Sequence, residues 1–322
     1  MKLLRYISFS ALLIGFAMES VVAQQEPMFT QYVYNTQLIN PAYVGYKEAL
    51  SITAHHRSQW VGFKGAPSTS TISLYSPLKK NQLAIGAVIS HDKIGPSSES
   101  TLQGDLAYRL RLSNRATLSF GAKVSVGLYQ VRLADLELSS DYYNLLGRDV
   151  PFDESFAYNT SGVILPNIGF GAYYYKKNYF LGVSAPKMIP TKLEKKSSEL
   201  YSLLEGTTQP TLYLQGGYLF DIDTDFKLQP TGLIKITPYA PISIGAFVNA
   251  IFIEKIRVGL FYHLKETGGA IVQYQLNDQI RVGYSVDVAA NKMISTNFGS
   301  HEVMFNYLFN YRRKRVIYPR YF

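Results

Sequence analysis

The feature that most constrains this chain is an alternation of apolar and polar residues with period two, held over segments of about ten residues and repeated along most of the sequence. From Thr117 to Tyr129, Leu118, Phe120, Ala122, Val124, Val126 and Leu128 fall on one face, while Thr117, Ser119, Gly121, Lys123, Ser125, Gly127 and Tyr129 fall on the other. The split recurs between Thr101 and Leu112, between Ile242 and Ala250, and between Ile280 and Val288. A helix would scatter these sets around its axis, whereas a strand sends successive side chains to opposite sides. One face suits lipid and the other tolerates water.

Read in this way, the chain is all-β: a transmembrane antiparallel β-barrel of about fourteen strands. The strands start near Ala49, Ser68, Gln82, Glu99, Arg115, Ile164, Asn178, Pro210, Phe226, Pro241, Lys255, Gly268, Ile280 and Gly299. An even number returns both ends of the barrel to the periplasm, so short turns and long loops should sort by parity. Short turns are expected at Ser113-Asn114, Lys176 to Asn178, Asp221 to Asp225, Ile253-Glu254 and Asn277-Asp278. The longest breaks, Leu133 to Val163, Pro186 to Gln209 and Ala289 to Asn297, fall on the other parity. A soluble β-sandwich also alternates, but its strands run to about five or six residues.

The N-terminus carries Lys2 and Arg5, an apolar run from Tyr6 to Met18, and small residues before Gln24. This reads as a signal peptide over 1–23, cut after Ala23. The remaining divisions are 24–48 as a periplasmic or plug segment, 49–310 as the barrel, and 311–322 as a basic tail. No Cys occurs, so neither disulfides nor an acylated Cys hold the chain. Hydrophobic residues make up 47% and charged residues only 17%, thin charge for a soluble enzyme. The 26 Tyr and 18 Phe suit strands and membrane-water boundaries. The formal charge of +9 has no accompanying basic-aromatic recognition motif, which argues against nucleic acid.

No motif points to chemistry. His55, His56, His91, His263 and His301 form no metal-ligand spacing. Gly169-Phe170-Gly171 sits inside an alternating strand, where glycine is expected to ease strand packing rather than cradle a nucleotide. Asn159-Thr160-Ser161 fits a glycosylation pattern by chance. The chain is therefore expected to be non-enzymatic, with no cofactor and no metal. The inward charges Arg109, Arg111, Lys123, Arg257, Arg281 and Asp287 either line a water-filled pore or pair across a plugged lumen.

Two blocks near the start stand apart from the alternation. The first is Gln25-Glu26-Pro27-Met28-Phe29-Thr30-Gln31-Tyr32, followed by Asn35 and by Asn40-Pro41-Ala42-Tyr43-Val44-Gly45. The second, in the first hairpin, runs from Arg57 through Trp60, Gly62, Gly65 and Pro67 to Thr69. In this order they resemble the PorP/SprF family of the Bacteroidetes type IX secretion system, and Gly299-Ser300-His301-Glu302 is similar to that family's ending. The resemblance carries over to Phe29, Gln31, Tyr32, Asn40, Pro41, Ala42 and Gly45 in the first block, and to Arg57, Trp60, Gly62, Gly65 and Pro67 in the second.

The resemblance implies an outer-membrane barrel that serves secretion and gliding. It exports or anchors surface adhesins that bear a type-B C-terminal sorting domain, alongside other secretion components of the periplasm or outer membrane. Both blocks also suit a purely structural role in closing the barrel. The competing readings are an outer-membrane pore or hydrophobic-compound transporter, and an outer-membrane lipid-modifying enzyme. The tail from Arg312 to Arg315 either meets an acidic partner or inner-leaflet phosphates, or is simply solvated.

Overall fold

The computed structural model describes residues 30–78, 82–112, 116–132, 162–192, 207–238, 240–290 and 297–309. The expected signal peptide, Phe29, Asn159 to Ser161 and the basic tail lie outside the described residues.

Fourteen antiparallel strands close into a barrel. They are β1 Leu50–Ser58, β2 Ser68–Pro77, β3 Leu83–Ile94, β4 Ser97–Arg111, β5 Thr117–Val131, β6 Val163–Tyr175 and β7 Tyr179–Ala185. The second half comprises β8 Leu212–Tyr218, β9 Phe226–Ile236, β10 Ser243–Phe252, β11 Ile256–His263, β12 Thr267–Gln275, β13 Ile280–Ala289 and β14 Ser300–Phe309. Each begins within two residues of the start expected from the alternation. Consecutive strands pair throughout, and β1 pairs with β14 from Leu50↔Phe309 to Ser58↔His301, so the sheet has no open edge. Past Leu219 the β8 strand resumes for Phe220–Asp221, still against β9.

The barrel is apolar outside and polar within. On β4 and β5, Leu102 is 60% exposed and Val124 63%, whereas Ser119 and Arg109 on the inward parity are 0% and 2% exposed. Lipid is the medium in which such an outer face costs nothing, and barrel closure satisfies the backbone groups that lipid cannot.

One end of the barrel has only brief connections, at 78–82, 112–116, 176–178, 222–225, 253–255 and 276–279. The other carries 59–67, 132–162, 186–211, 237–242 and 290–299, together with the tight turns 95–96 and 264–266. This is the parity expected from the sequence. Near the short-turn end the outer face bears a ring of aromatics. Tyr179 stacks with Tyr218 at 6.5 Å, the Tyr174 and Tyr179 hydroxyls approach to 3.4 Å, and Phe226 lies 5.2 Å from Phe252. Tyr108, Tyr274 and Tyr307 extend the ring on other strands. It marks one membrane-water boundary.

Candidate functional site

Residues 30–48 form no strand. They pass through two short 3-10 turns, Thr36–Leu38 and Pro41–Tyr43, and almost every side chain is buried. Their partners are inward-facing groups on strands all around the barrel, so the segment occupies the lumen. Asn35 Nδ2 donates to Ser73 Oγ on β2 at 2.7 Å, and Gln37 Nε2 to Asp105 Oδ2 on β4 at 2.9 Å. Lys123 on β5 donates to the Leu38 carbonyl at 3.3 Å, Ser184 on β7 to the Ile39 carbonyl at 2.8 Å, and Tyr34 to Asn249 Oδ1 on β10 at 2.6 Å. Arg257 on β11 lies over the Tyr34 ring, 4.7 Å from its centroid. The segment thereby satisfies a polar interior that would otherwise need water.

Local chemistry explains why the segment turns where it does. The Asn40 side chain accepts a hydrogen bond from Ala42 N at 2.9 Å while Pro41 sets the first position of the turn. Asn40 Nδ2 then donates to the Ala172 carbonyl of β6 at 3.1 Å, pinning the turn to the wall. The chain leaves the turn at Gly45, whose φ of +82° is left-handed. Across this exit, Tyr43 of the turn stacks on Tyr46 at 5.0 Å and meets Tyr173 edge-on at 5.5 Å, forming an aromatic wedge.

The wall is cut away to admit this turn. A Cβ on Gly121 would stand 2.2 Å from Ala42 N, and one on Gly171 would stand 2.2 Å from Asn40 Oδ1. A Cβ on Gly169 would meet the Pro186 carbonyl at 2.4 Å. These glycines thus make room for the lumen segment and a loop, which differs from the strand-packing role expected for Gly169 and Gly171.

Where the segment begins, three distant parts of the sequence meet. Glu302 on β14 accepts from the backbone N–H of Thr30 at 2.7 Å and of Gln31 at 3.2 Å. Arg57, paired across the strands with Glu302, donates to Asp287 Oδ2 and to Thr30 Oγ1, each at 2.7 Å, and lies 3.6 Å from Glu302 Oε2. His55 Nδ1 lies 3.2 Å from Glu302 Oε1. All these side chains are buried. Because the ions are desolvated, each depends on the others: removing one member of such a group costs about 3–5 kcal/mol. The arrangement is a latch holding the start of the lumen segment to β1, β13 and β14. At its far end, Glu48 pairs with Arg109 at 3.2 Å and with Arg111 at 3.4 Å. Arg109, Arg111, Lys123, Arg257 and Asp287 are thus engaged with the lumen segment or one another, whereas Arg281 donates to Gln275 Oε1 of the wall at 2.7 Å.

The residues singled out in the sequence divide in two. Gln31, Tyr32, Asn40, Pro41, Ala42 and Gly45 all lie in the lumen segment. Gln31 accepts from Gln273 Nε2 at 3.1 Å, and Tyr32 meets Phe247 edge-on at 5.3 Å. Of the second block only Arg57 reaches the latch. Trp60 (φ +45°), Gly62 (φ +95°) and Gly65 (φ +78°) shape the 59–67 loop, with Pro67 closing it by accepting from Gln59 N at 2.9 Å. That loop zips to the approach of β14: Val61 N donates to the Gly299 carbonyl and Phe298 N to the Val61 carbonyl, each at 2.8 Å. Sequence reading singled out neither His55 nor Thr30 as site residues, and saw Glu302 only as part of a closing block. Glycines at inward positions of β5 and β6 were the available signal that something packs inside.

Among the described residues no group of three His, Cys, Asp or Glu is placed to hold a metal, and no helix is long and apolar enough to cross a membrane. A family model described as type IX secretion system membrane protein PorP/SprF matches residues 21–307. The chain belongs to that family. It is a PorP/SprF outer-membrane β-barrel, a membrane component of type IX secretion. No curated protein matches the chain. Solved structures with similar folds include a FadL homologue of Pseudomonas aeruginosa, 10% identical with TM-score 0.48, over 83% of this chain and 91% of that one. The toluene transporter TbuX of Ralstonia pickettii is 10% identical with TM-score 0.48, over 85% and 93%. The outer membrane protein Omp33 of Acinetobacter baumannii is 11% identical with TM-score 0.46, over 81% and 98%. No ligand or cargo transfers from them to this PorP/SprF chain.

Proposed function

We propose that this PorP/SprF barrel is a non-enzymatic component that supports export or surface anchoring of adhesins with a type-B C-terminal sorting domain, acting with other secretion components. It reaches the outer membrane behind a signal peptide cleaved after Ala23. The observation that carries this reading is the occupied lumen: residues 30–48 are hydrogen-bonded to the wall from β1 to β14, which suits a fixed platform better than a solute channel. Buried hydrogen bonds to many strands at once rigidify what they join.

Deleting the gene is expected to strip a particular large protein from the cell surface, and re-expression of the full chain is expected to restore it. Quantitative surface proteomics is the measurement. An unchanged surface proteome overturns the proposal.

A further inference from the structure

The outer wall is not uniformly apolar. His56, Ser70, His91 and Ser100 all point outward and are exposed, and the strand registers align them in one row: His56↔Ser70, Ser70↔His91, His91↔Ser100. They bond along the row, with His56 Nδ1 2.9 Å from Ser70 Oγ and His91 Nδ1 2.9 Å from Ser100 Oγ. Ser58 Oγ lies 3.3 Å from His56 Nε2. On β14, His301 pairs across from Ser58 and lies against the Tyr284 hydroxyl at 2.5 Å. Three of the five histidines thus share one lipid-facing patch spanning β13 to β4.

Its depth makes it anomalous. Tyr307 of the aromatic ring pairs with Ile52, and His56 lies four residues further along β1, while His91 and Ser100 lie eight residues from the Leu83–Tyr108 pair of the ring. At about 3.3 Å per residue and a tilt of about 40°, the patch runs from roughly 10 Å above that boundary at His56 to roughly 20 Å at His91 and Ser100, within an apolar band about 25 Å tall. Over the same span the wall of β5, β6 and β8 is apolar. Val124, six residues past the Tyr174 partner Leu118, is 63% exposed; Ile168, six before Tyr174, is 41%; and Leu212, six before Tyr218, is 37%. Polar side chains turned to lipid at such depth are costly and mark a functional surface.

We propose that this patch is the interface for a second copy of the chain within the membrane. Every hydrogen-bonding side chain in it, Ser, His or Tyr, can both donate and accept, and no carboxylate stands among them. A surface of that kind complements itself: about a twofold axis each copy offers the other what it needs, as an isologous interface requires. Polar contacts between membrane-spanning elements act in this way, each contributing modestly. The proposal is independent of what the barrel helps to export.

Because the chain has no Cys, the test is clean. Single variants Ser70→Cys, His91→Cys, Ser100→Cys and H56C, with V124C as control, are expressed as full chains. Intact outer membranes are treated with copper phenanthroline or a short bis-maleimide, and heat-modifiable gel mobility reports folding. At least one patch cysteine is expected to give a product of twice the chain's mass, identified by mass spectrometry as this chain linked to itself, while V124C stays single. Folded patch variants that all stay single overturn the proposal. So does a product that joins the patch to a different protein.

Discussion

The residue that best reports the fit between wall and lumen is Gly121. Its missing side chain leaves the space taken by the Pro41–Ala42 backbone, which cannot swing aside as a side chain would. Gly121→Ala is therefore expected to cost about 1–3 kcal/mol through overpacking. The heat-modifiable gel transition should move to lower temperature, and protease should gain access within 30–48. Gly232 supplies the control, since a Cβ there meets nothing within 4 Å. Gly232→Ala should leave both measurements unchanged. Equal effects at the two positions would remove the glycines' role in seating the segment.

At the scale of elements, the lumen segment and the strands do different work. Strand pairing satisfies the wall's backbone and closes it at β1 and β14 without help from inside. The segment instead satisfies side chains: Glu302, Asp287 and Arg57 at one end, Asp105 and Lys123 further along. Excising residues 30–48 from the mature chain is expected to leave a folded barrel in which water replaces those partners. In planar bilayers the shortened protein should pass steady current while the full chain stays silent. Steady conductance from the full chain would restore the solute-pore reading. The 59–67 loop shows the complementary economy: a run of left-handed residues, tied by two backbone bonds to the approach of β14, fixes the strand ends that carry the latch.

For the whole molecule the governing fact is that solvent and interior have exchanged places: lipid outside, a polar filling within. Stability should then depend on depth in the membrane. Val124→Arg, near mid-band, is expected to cost about 2–4 kcal/mol, whereas Leu118→Arg, level with Tyr174 in the aromatic ring, should cost about 0–1. Urea unfolding in lipid vesicles measures the difference, and equal costs would remove the assigned band. The sequence by itself determined the wall. Strand starts, facing and loop parity follow from an alternation that depends only on neighbouring residues and on the medium each face meets. What it left open was decided by closure of the ring. Thr30 meets Glu302 across 272 positions, and nothing local to either announces it. The Tyr set was ambiguous for the same reason: Tyr43, Tyr75 and Tyr173 turn inward against the lumen segment, while Tyr108, Tyr174 and Tyr218 face the membrane boundary. Likewise His56, His91 and His301 read singly as isolated histidines. Only the register of a closed sheet brings them onto one face as neighbours.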